Sequence, residues 1–456
     1  MRNFTARFWL TIGLGLFGVS LGTASVWGQT TACDAVAGQI LVNLNNQSDL
    51  NAVATTWGLA RAPLDQVGSP PTYRMAILSS NTQSPCALQT AMQGDARVAR
   101  VEVNRILSSV ENDGLPWTLG RSWAIGRSWA IGGSAKGYAR QWFPWTIHLR
   151  EAHQITKGIR VDNGNPVVVA VLDTGIDLNH PAFAGRLVPG YDFVSGDNDP
   201  SEEGILRINP SYGHGTHVAG IVALTAPDVK IMPIRILDTN GEGELWRVTA
   251  AIIWAANHGA NVINISFGYN SNPQLLENLL DNCDGNPPAG TQLFPELLAN
   301  VVVISGAGNG GNGVPIFPAG NRIDAQLGVG ASTRYEHLAS FSTMSIGTSG
   351  SQRFIRAVAP GEDIVSAIPG GRYGVWSGTS MAAPIASGIA ALVKATNPAF
   401  IPHDIVDRLS NTGIKWQCDN FRGGQMMRTA RVDALCALNN TADCGVDPNT
   451  TSACVP

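Results

Sequence analysis

The sequence predicts an α/β protein with a mostly parallel central sheet, preceded by a smaller α+β unit. Three observations carry that expectation. From Val167 onward, short apolar runs without alternation recur: VVVAVL at Val167, VKIMPIRIL at Val229, NVINIS at Asn261, VVVIS at Val301 and LGVGAS at Leu327. Helical stretches separate several of them, most clearly at 214–224 and 244–257. Apolar strands alternating with helices form a parallel sheet covered on both faces. Ahead of these, residues 39–104 read as strand, helix, strand, helix, strand: QILVNL, SDLNAVATTWGL, TYRMAIL, SPCALQTAMQ and VARVEVN.

The 456 residues suffice for two or three domains with a large core. Charged residues make up 14%, against ~25% in an average globular protein. A net charge of −4 gives no reason to expect a nucleic-acid partner. At the N-terminus, Arg2 and Arg7 flank an apolar stretch, Phe8 to Leu21, followed by small residues. This reads as an export signal over 1–28, cut after Ala24 or Gly28, with no stable membrane insertion afterwards. An uncleaved anchor helix is the alternative. GLGLFG and GVSLG inside this stretch match nucleotide-binding and hydrolase patterns, but a targeting segment gives them no structural context. Seven cysteines, four of them after position 417, suit disulfides in an exported protein, with one thiol left over. No CxxC pair or Cys/His cluster points to zinc. Residues 112–137 are rich in Gly, Ser and Trp and contain a perfect tandem repeat, GRSWAI at Gly120 and again at Gly126. Two copies are too few for a solenoid, so the stretch reads as an exposed linker.

Parallel sheets place their active sites at the carboxyl ends of the strands, so polar residues just after the apolar runs are the candidates. Asp173 closes the first run in VVVAVLDTGID, and a carboxylate ending a buried strand needs hydrogen bonds. Asp177 reads as a turn residue. His214 opens the helix of HGTHVAGIVAL, where the positive dipole end favours a neutral imidazole able to act as a base. His214 and His217 could instead share a metal, but no third ligand or HExxH accompanies them. His217 reads as structural. Asn309 follows VVVIS in GAGNGG. Gly306, Gly308 and Gly311 fit GxGxxG after a strand, yet Pro315 and Pro318 forbid the helix that a dinucleotide site requires. What remains is an amide able to donate to a developing negative charge. Ser380 starts the helix of GTSMAAPIASGIAAL. Pro384, four residues on, removes one helical hydrogen bond. Such a break in a good helix start invites a functional explanation. The Ser380 N–H is a helix-end donor facing outward.

At this point the sequence resembles the subtilisin-like serine proteases, the subtilases. The matching stretches are VAVLDTGIDLNHP, HGTHVAG, GAGNGG and GTSMAAP, in the family's order Asp, His, Asn, Ser. The resemblance covers about 141–438 and implies a three-layer subtilisin-like fold. It implies Ser380 as nucleophile, His214 as general base and acid, Asp173 as its orienting acid, and Asn309 with the Ser380 N–H as oxyanion donors. NISFGYN would pair with extended substrate, with Ser266, Phe267 and Gly268 along the pocket for the side chain before the cut. Gly306, Gly308 and Phe317, in FPA, would face that pocket. Phe267 and Tyr269 depart from the commoner Leu and Gly. Residues 39–104 resemble the family's inhibitory prodomain, which assists folding and is then cut off.

The resulting division is a signal over 1–28, a propeptide over 29–112, a linker over 113–137, a peptidase domain over 138–438 and a Cys-containing tail over 439–456. The expected function is a monomeric serine endopeptidase acting on polypeptides, secreted or held at the cell surface or in the periplasm, and made as a self-inhibited zymogen with its own propeptide as partner. No cofactor is needed for the chemistry. Structural calcium is left open, with the acidic loop YDFVSGDNDPSEEG (Asp192, Asp197, Asp199, Glu202, Glu203) as a candidate against a plain solvated loop. The alternative from another class is a catalytically silent, peptide-binding relative. Loss of Asp173, His214 or Ser380 would favour it, and all three are present. Relatives that act in acid use Glu where this chain has His214.

Overall fold

The computed structural model describes residues 35–61, 75–109, 129–131, 133–206, 208–281, 298–345, 354–420 and 425–441. For 108–109, 129–131, 416–420 and 425–428 it describes the backbone alone. The signal stretch, the first GRSWAI copy and the last fifteen residues lie outside these bounds.

In the N-terminal unit, strands β1 (Gln39–Leu44), β2 (Ala60–Arg61), β3 (Met75–Ser79) and β4 (Val98–Val103) form an antiparallel sheet in the order β2-β3-β1-β4. Helices α1 (Leu50–Trp57) and α2 (Pro85–Met92) cover one face. Alternation sorts the sheet's side chains. Ile40, Val42, Ala76 and Leu78 pack with Val53 and Leu88 of the helices. Leu41, Met75 and Ile77 face the other way and join a cluster built by the larger part of the chain. A short strand, β5 (Ile106–Ser109), follows.

The second GRSWAI copy supplies β6 (Trp129–Ile131), then short helices α3 (Ala135–Ala139), α4 (Phe143–Thr146) and α5 (Leu149–Ile155). The parallel-sheet region contains β7 (Val168–Asp173), β8 (Tyr191–Asp192), α6 (His214–Thr225), β9 (Lys230–Arg235), β10 (Glu242–Glu244) and α7 (Leu245–Asn257). It continues with β11 (Val262–Ile265), β12 (Phe267–Gly268), α8 (Gln274–Asp281), β13 (Val302–Gly306), β14 (Gln326–Ser332) and β15 (Ile355–Pro360). The last elements are β16 (Ile364–Ile368), β17 (Arg372–Trp376), α9 (Thr379–Thr396), α10 (Pro402–Asn411), β18 (Ile414–Asn420), β19 (Gln425–Arg431) and α11 (Ala434–Asn439).

Nine strands form the central sheet in the order β18-β19-β15-β14-β13-β11-β7-β9-β8. All its neighbours are parallel except the β18–β19 pair. Val169 and Val171 of β7 meet α6 and α9 on one face, while Ala170 and Leu172 meet α7 and α8 on the other. This is the expected three-layer α/β architecture. The unalternating runs follow from it, because a strand covered on both faces has no solvent side to mark with polar residues.

Two local features were not evident in the sequence. Trp129–Ile131 is not loose chain but pairs antiparallel with β17, as the third strand of a β16-β17-β6 sheet. Arg431 ends a strand, and the helix begins after Asp433, whose side chain accepts from the Cys436 N–H. Cys86 and Cys436 are each disulfide-bonded.

Candidate active site

Asp173 is the last residue of β7, at the carboxyl edge of the sheet. Its Oδ1 accepts from the Thr174 N–H at 2.8 Å and contacts His214 Nδ1 at 2.7 Å. Both side chains are almost fully buried. His214 is the first residue of α6 and follows Gly213, whose φ of 91° suits glycine. A Cβ on Gly215 would collide with the Gly175 carbonyl, so glycine lets the helix start come down onto the end of β7. With Nδ1 turned to a carboxylate, the ring's Nε2 is the atom left to exchange a proton.

Trp376, at the end of β17, stacks on His217 with centroids 4.3 Å apart and an interplanar angle of 5°. It also lies stacked 6.4 Å from His214. This brings the chain four residues before Ser380 against the His214 ring. His217 is fully buried, and burial, then the neighbouring His214, lowers its imidazole to about 3. A ring held neutral and stacked in this way is structural, as the sequence suggested.

Ser380 is the second residue of α9 and is buried. Its hydroxyl donates to the Ser266 carbonyl at 3.3 Å. Pro384 leaves the Ser380 carbonyl without its helical donor, and the Ser266 hydroxyl donates to that carbonyl at 3.3 Å. Asn264 then orders the network. Its Nδ2 donates to Ser266 Oγ at 3.0 Å, and its Oδ1 accepts from Ser387 Oγ, also on α9, at 2.9 Å. The proline thus exchanges a helical bond for a buried tie between α9 and the end of β11.

Asn309 lies just past β13. Its Oδ1 accepts from the Thr379 N–H at 2.9 Å and from the Thr379 hydroxyl at 3.1 Å. The Gly308 N–H closes the ring by donating to Thr379 Oγ1 at 3.0 Å. Fixing the amide oxygen fixes the way its NH₂ faces. Among the described residues, none accepts from the Ser380 N–H.

Ser266–Gly268 and the 306–309 loop border the same region. Phe267 is fully buried, with its side chain in the core cluster and its backbone paired to Ser109 of β5. The Tyr269 side chain is likewise buried, and its backbone exchanges hydrogen bonds with Phe317 at 2.7 and 2.9 Å. Ile316 sits between Gly268 and Gly308, where a Cβ on either would strike its side chain.

The N-terminal unit reaches this region. β5 lies between β10 and β12, pairing antiparallel with both, with Leu107 opposite Gly243, Ser108 opposite Gly268 and Ser109 opposite Phe267. The Glu102 carboxylate accepts from the Gln274 and Leu275 N–H groups at 3.2 and 2.7 Å, at the start of α8. Asn104 Nδ2 donates to Glu244 at 2.7 Å, and its Oδ1 accepts from the Trp246 N–H at 3.3 Å, at the start of α7. Sequence reading missed these contacts, because they join residues more than a hundred positions apart.

The acidic loop does not fit calcium. Arg235, buried at the end of β9, pairs with Asp192 and Glu203 at 2.8 Å each. Asp199 accepts from Ser201, and Glu202 turns away to α6. Among the described residues, no group of three or more His, Cys, Asp or Glu is placed to hold a metal ion. No described helix is long and apolar enough to cross a membrane.

Residues 164–438, more than half of the chain, match the model of the Peptidase S8 subtilase family. A thermophilic serine proteinase of Bacillus sp. (strain AK1) is 38% identical over 293 residues, which are 61% of this chain and 64% of that protein. Thermitase of Thermoactinomyces vulgaris is 33% identical over 296 residues, 61% of this chain and 92% of its own length. Subtilisin Savinase of Lederbergia lenta is 32% identical over 294 residues, 62% of this chain and 96% of its own. Among solved structures, fervidolysin from Fervidobacterium pennivorans, described as a keratinolytic enzyme related to subtilisin, shares the fold. The TM-score is 0.63 at 21% identity, over 90% of this chain and 62% of that one.

Proposed function

The chain belongs to the subtilase family, and on that premise we propose that it is a secreted serine endopeptidase made as a self-processed zymogen. The observation that carries the reading is the buried Asp173–His214 contact of 2.7 Å, with Trp376, four residues before Ser380, stacked 6.4 Å from the His214 ring. In this reading Ser380 Oγ turns from the Ser266 carbonyl toward His214 Nε2, gives up its proton and attacks the peptide carbonyl. Asp173 holds the imidazole in the tautomer that can take this proton and stabilises the imidazolium. The Asn309 NH₂ and the Ser380 N–H donate to the carbonyl oxygen as it becomes negative. His214 returns the proton to the leaving amine, and water attacks the acyl-enzyme by the same route in reverse.

Substrate binds as an extended strand between β10 and β12, the place β5 holds. Main-chain pairing there accepts many sequences. Ser266, Phe267 and Gly268 serve through their backbone, and Gly306, Gly308 and Phe317 border the pocket before the cut. Ile316 makes that pocket shallow, which favours small side chains. Residues 29–112 act as the intramolecular inhibitor, docked through β5, Glu102 and Asn104. The peptidase domain is placed at 138–438 and acts as a monomer.

The test is to express wild type and Ser380→Ala with the full sequence and to sequence the N-termini of the secreted products. Wild type is expected to lose the segment before about Gly132, and the variant to keep it. Identical processing of the two would overturn self-cleavage. Failure of a fluorophosphonate probe to label Ser380 in the wild type would overturn the enzyme reading itself.

A further inference from the structure

Glu202 is a half-buried residue beside the Asp173–His214 pair, its carboxylate turned inward, that the reaction as written does not use. Its loop is tied to the chain just past Asp173: the Ile176 N–H donates to the Pro200 carbonyl at 3.0 Å, and the Glu202 N–H to the Ile176 carbonyl at 3.1 Å. That places Oε2 at the start of α6, where it accepts from the Thr216 hydroxyl at 2.8 Å and the Thr216 N–H at 3.2 Å. The helix needs such an acceptor, because its cap residue Gly213 has no side chain to give. The Gly213 N–H and the Thr174 hydroxyl also favour the ionised carboxylate. The Thr174 hydroxyl in turn accepts from the Gly215 N–H at 3.0 Å. Oε1 is buried with no hydrogen-bond partner among the described residues.

We propose that Glu202 is a positioning residue for the reaction, capping from outside the helix that carries His214 and coupling its own charge to the Asp173–His214 pair. The inference rests on the serine-endopeptidase reading. It concerns Glu202, Thr174, Asp173 and His214: the Thr174 N–H donates to Asp173, and the Thr174 hydroxyl and Glu202 Oε2 both hold the first turn of the helix that His214 opens. The charged and titratable groups around Glu202 are few. Asp173 repels it from the end of β7. Asp177, in the following loop, donates its N–H to the same Thr216 hydroxyl at 2.9 Å. Tyr212, before α6, feels Glu202, Asp177 and Arg372 of β17. Glu203 faces away toward Arg235. Burial first, and Asp173 among the lesser causes, push the Glu202 carboxyl up to about 7. It therefore changes charge in the range where a histidine base does. An ionised Glu202 favours the imidazolium, and a neutral one releases it.

The experiment compares mature wild type with Glu202→Gln, which keeps the shape and one acceptor but removes the charge. The readout is kcat and KM for a peptide p-nitroanilide across pH. The acid limb of kcat/KM is expected to move to lower pH by about half a unit or more, with KM nearly unchanged. Superimposable limbs would overturn the proposal. A second measurement needs neither turnover nor a folded Glu202 variant. In Ser380→Ala, the His214 Nδ1 proton is followed by NMR through neutral pH. Two inflections are expected, one of them from Glu202, and a single-step titration would overturn the coupling. A wild type that neither cleaves peptide nor reacts with a fluorophosphonate would sink the endopeptidase reading, while the NMR result would still decide the coupling.

Discussion

Helices α6 and α9 both start from a glycine, Gly213 and Gly378, and neither cap residue gives a side chain to the first turn. At α6 the exposed donors are answered from another loop, by the Glu202 carboxylate on Thr216. At α9 Asn309 takes the Thr379 N–H, and the next N–H, that of Ser380, meets no acceptor among the described residues. The same backbone feature thus serves two ends. A filled helix start is a rigid mount, here for His214, the base of the proposed reaction. An open one is a place for charge that exists for part of a reaction cycle.

Four substitutions break or sharpen this contrast, and the largest effect lies at the open end. Ser380→Ala should lower kcat on the order of 10⁶-fold with an unchanged circular dichroism spectrum. An activity loss below tenfold would remove Ser380 from the chemistry. Asn309→Leu withdraws the second donor beside the open N–H. It should cost roughly 10² to 10³ in kcat with little change in KM. A loss carried by KM alone would mean that Asn309 binds substrate rather than the developing charge. At the filled end, Thr216→Val takes the hydroxyl from Glu202 and leaves a buried carboxylate short of a donor. In the Ser380→Ala background, where self-digestion is absent, thermal unfolding should show a loss of about 1–3 kcal/mol. No change in melting temperature would mean that the cap is not holding the helix start. The smallest effect is expected at His217. Its imidazole is depressed to about 3 in the folded chain, whereas the unfolded chain takes up the proton near 6.5. The stability this contributes is present above about pH 6.5 and is lost as pH falls toward 3. In His217→Phe, denaturant unfolding should show a flatter fall of stability over that window. An unchanged slope would place the acid sensitivity elsewhere.

Much of the site was legible because its chemistry is local. Asp173 closes an apolar run, His214 and Ser380 open helices, and Asn309 sits in a glycine loop at a strand end. Pro384 broke a rule of helix starts, and the Ser266 hydroxyl on the Ser380 carbonyl is the compensation. Glu202 was not legible as a cap. Its partner Thr216 lies across a loop, and no spacing rule joins them. Arg235, the partner of that acidic loop, was hidden at the end of the apolar strand β9, so the carboxylates suggested a metal rather than a guanidinium. The motif around Phe267 marked a segment that pairs through its backbone, but it did not reveal that the side chain packs in the core while the backbone pairs with β5. The repeat's second copy looked like linker because three residues are too short to read as a strand. Trp129–Ile131 pairs with the edge of β17.

If substrate takes the slot that β5 fills, as we propose, there is a consequence for what can be cut. A visitor must come as a straightened ribbon, several residues long, with its main-chain groups unclaimed by its own fold. Target segments wound in helices or locked inside sheets have those groups already engaged and would have to melt first. Selection among targets would then follow local unfolding more than the letters of their sequence.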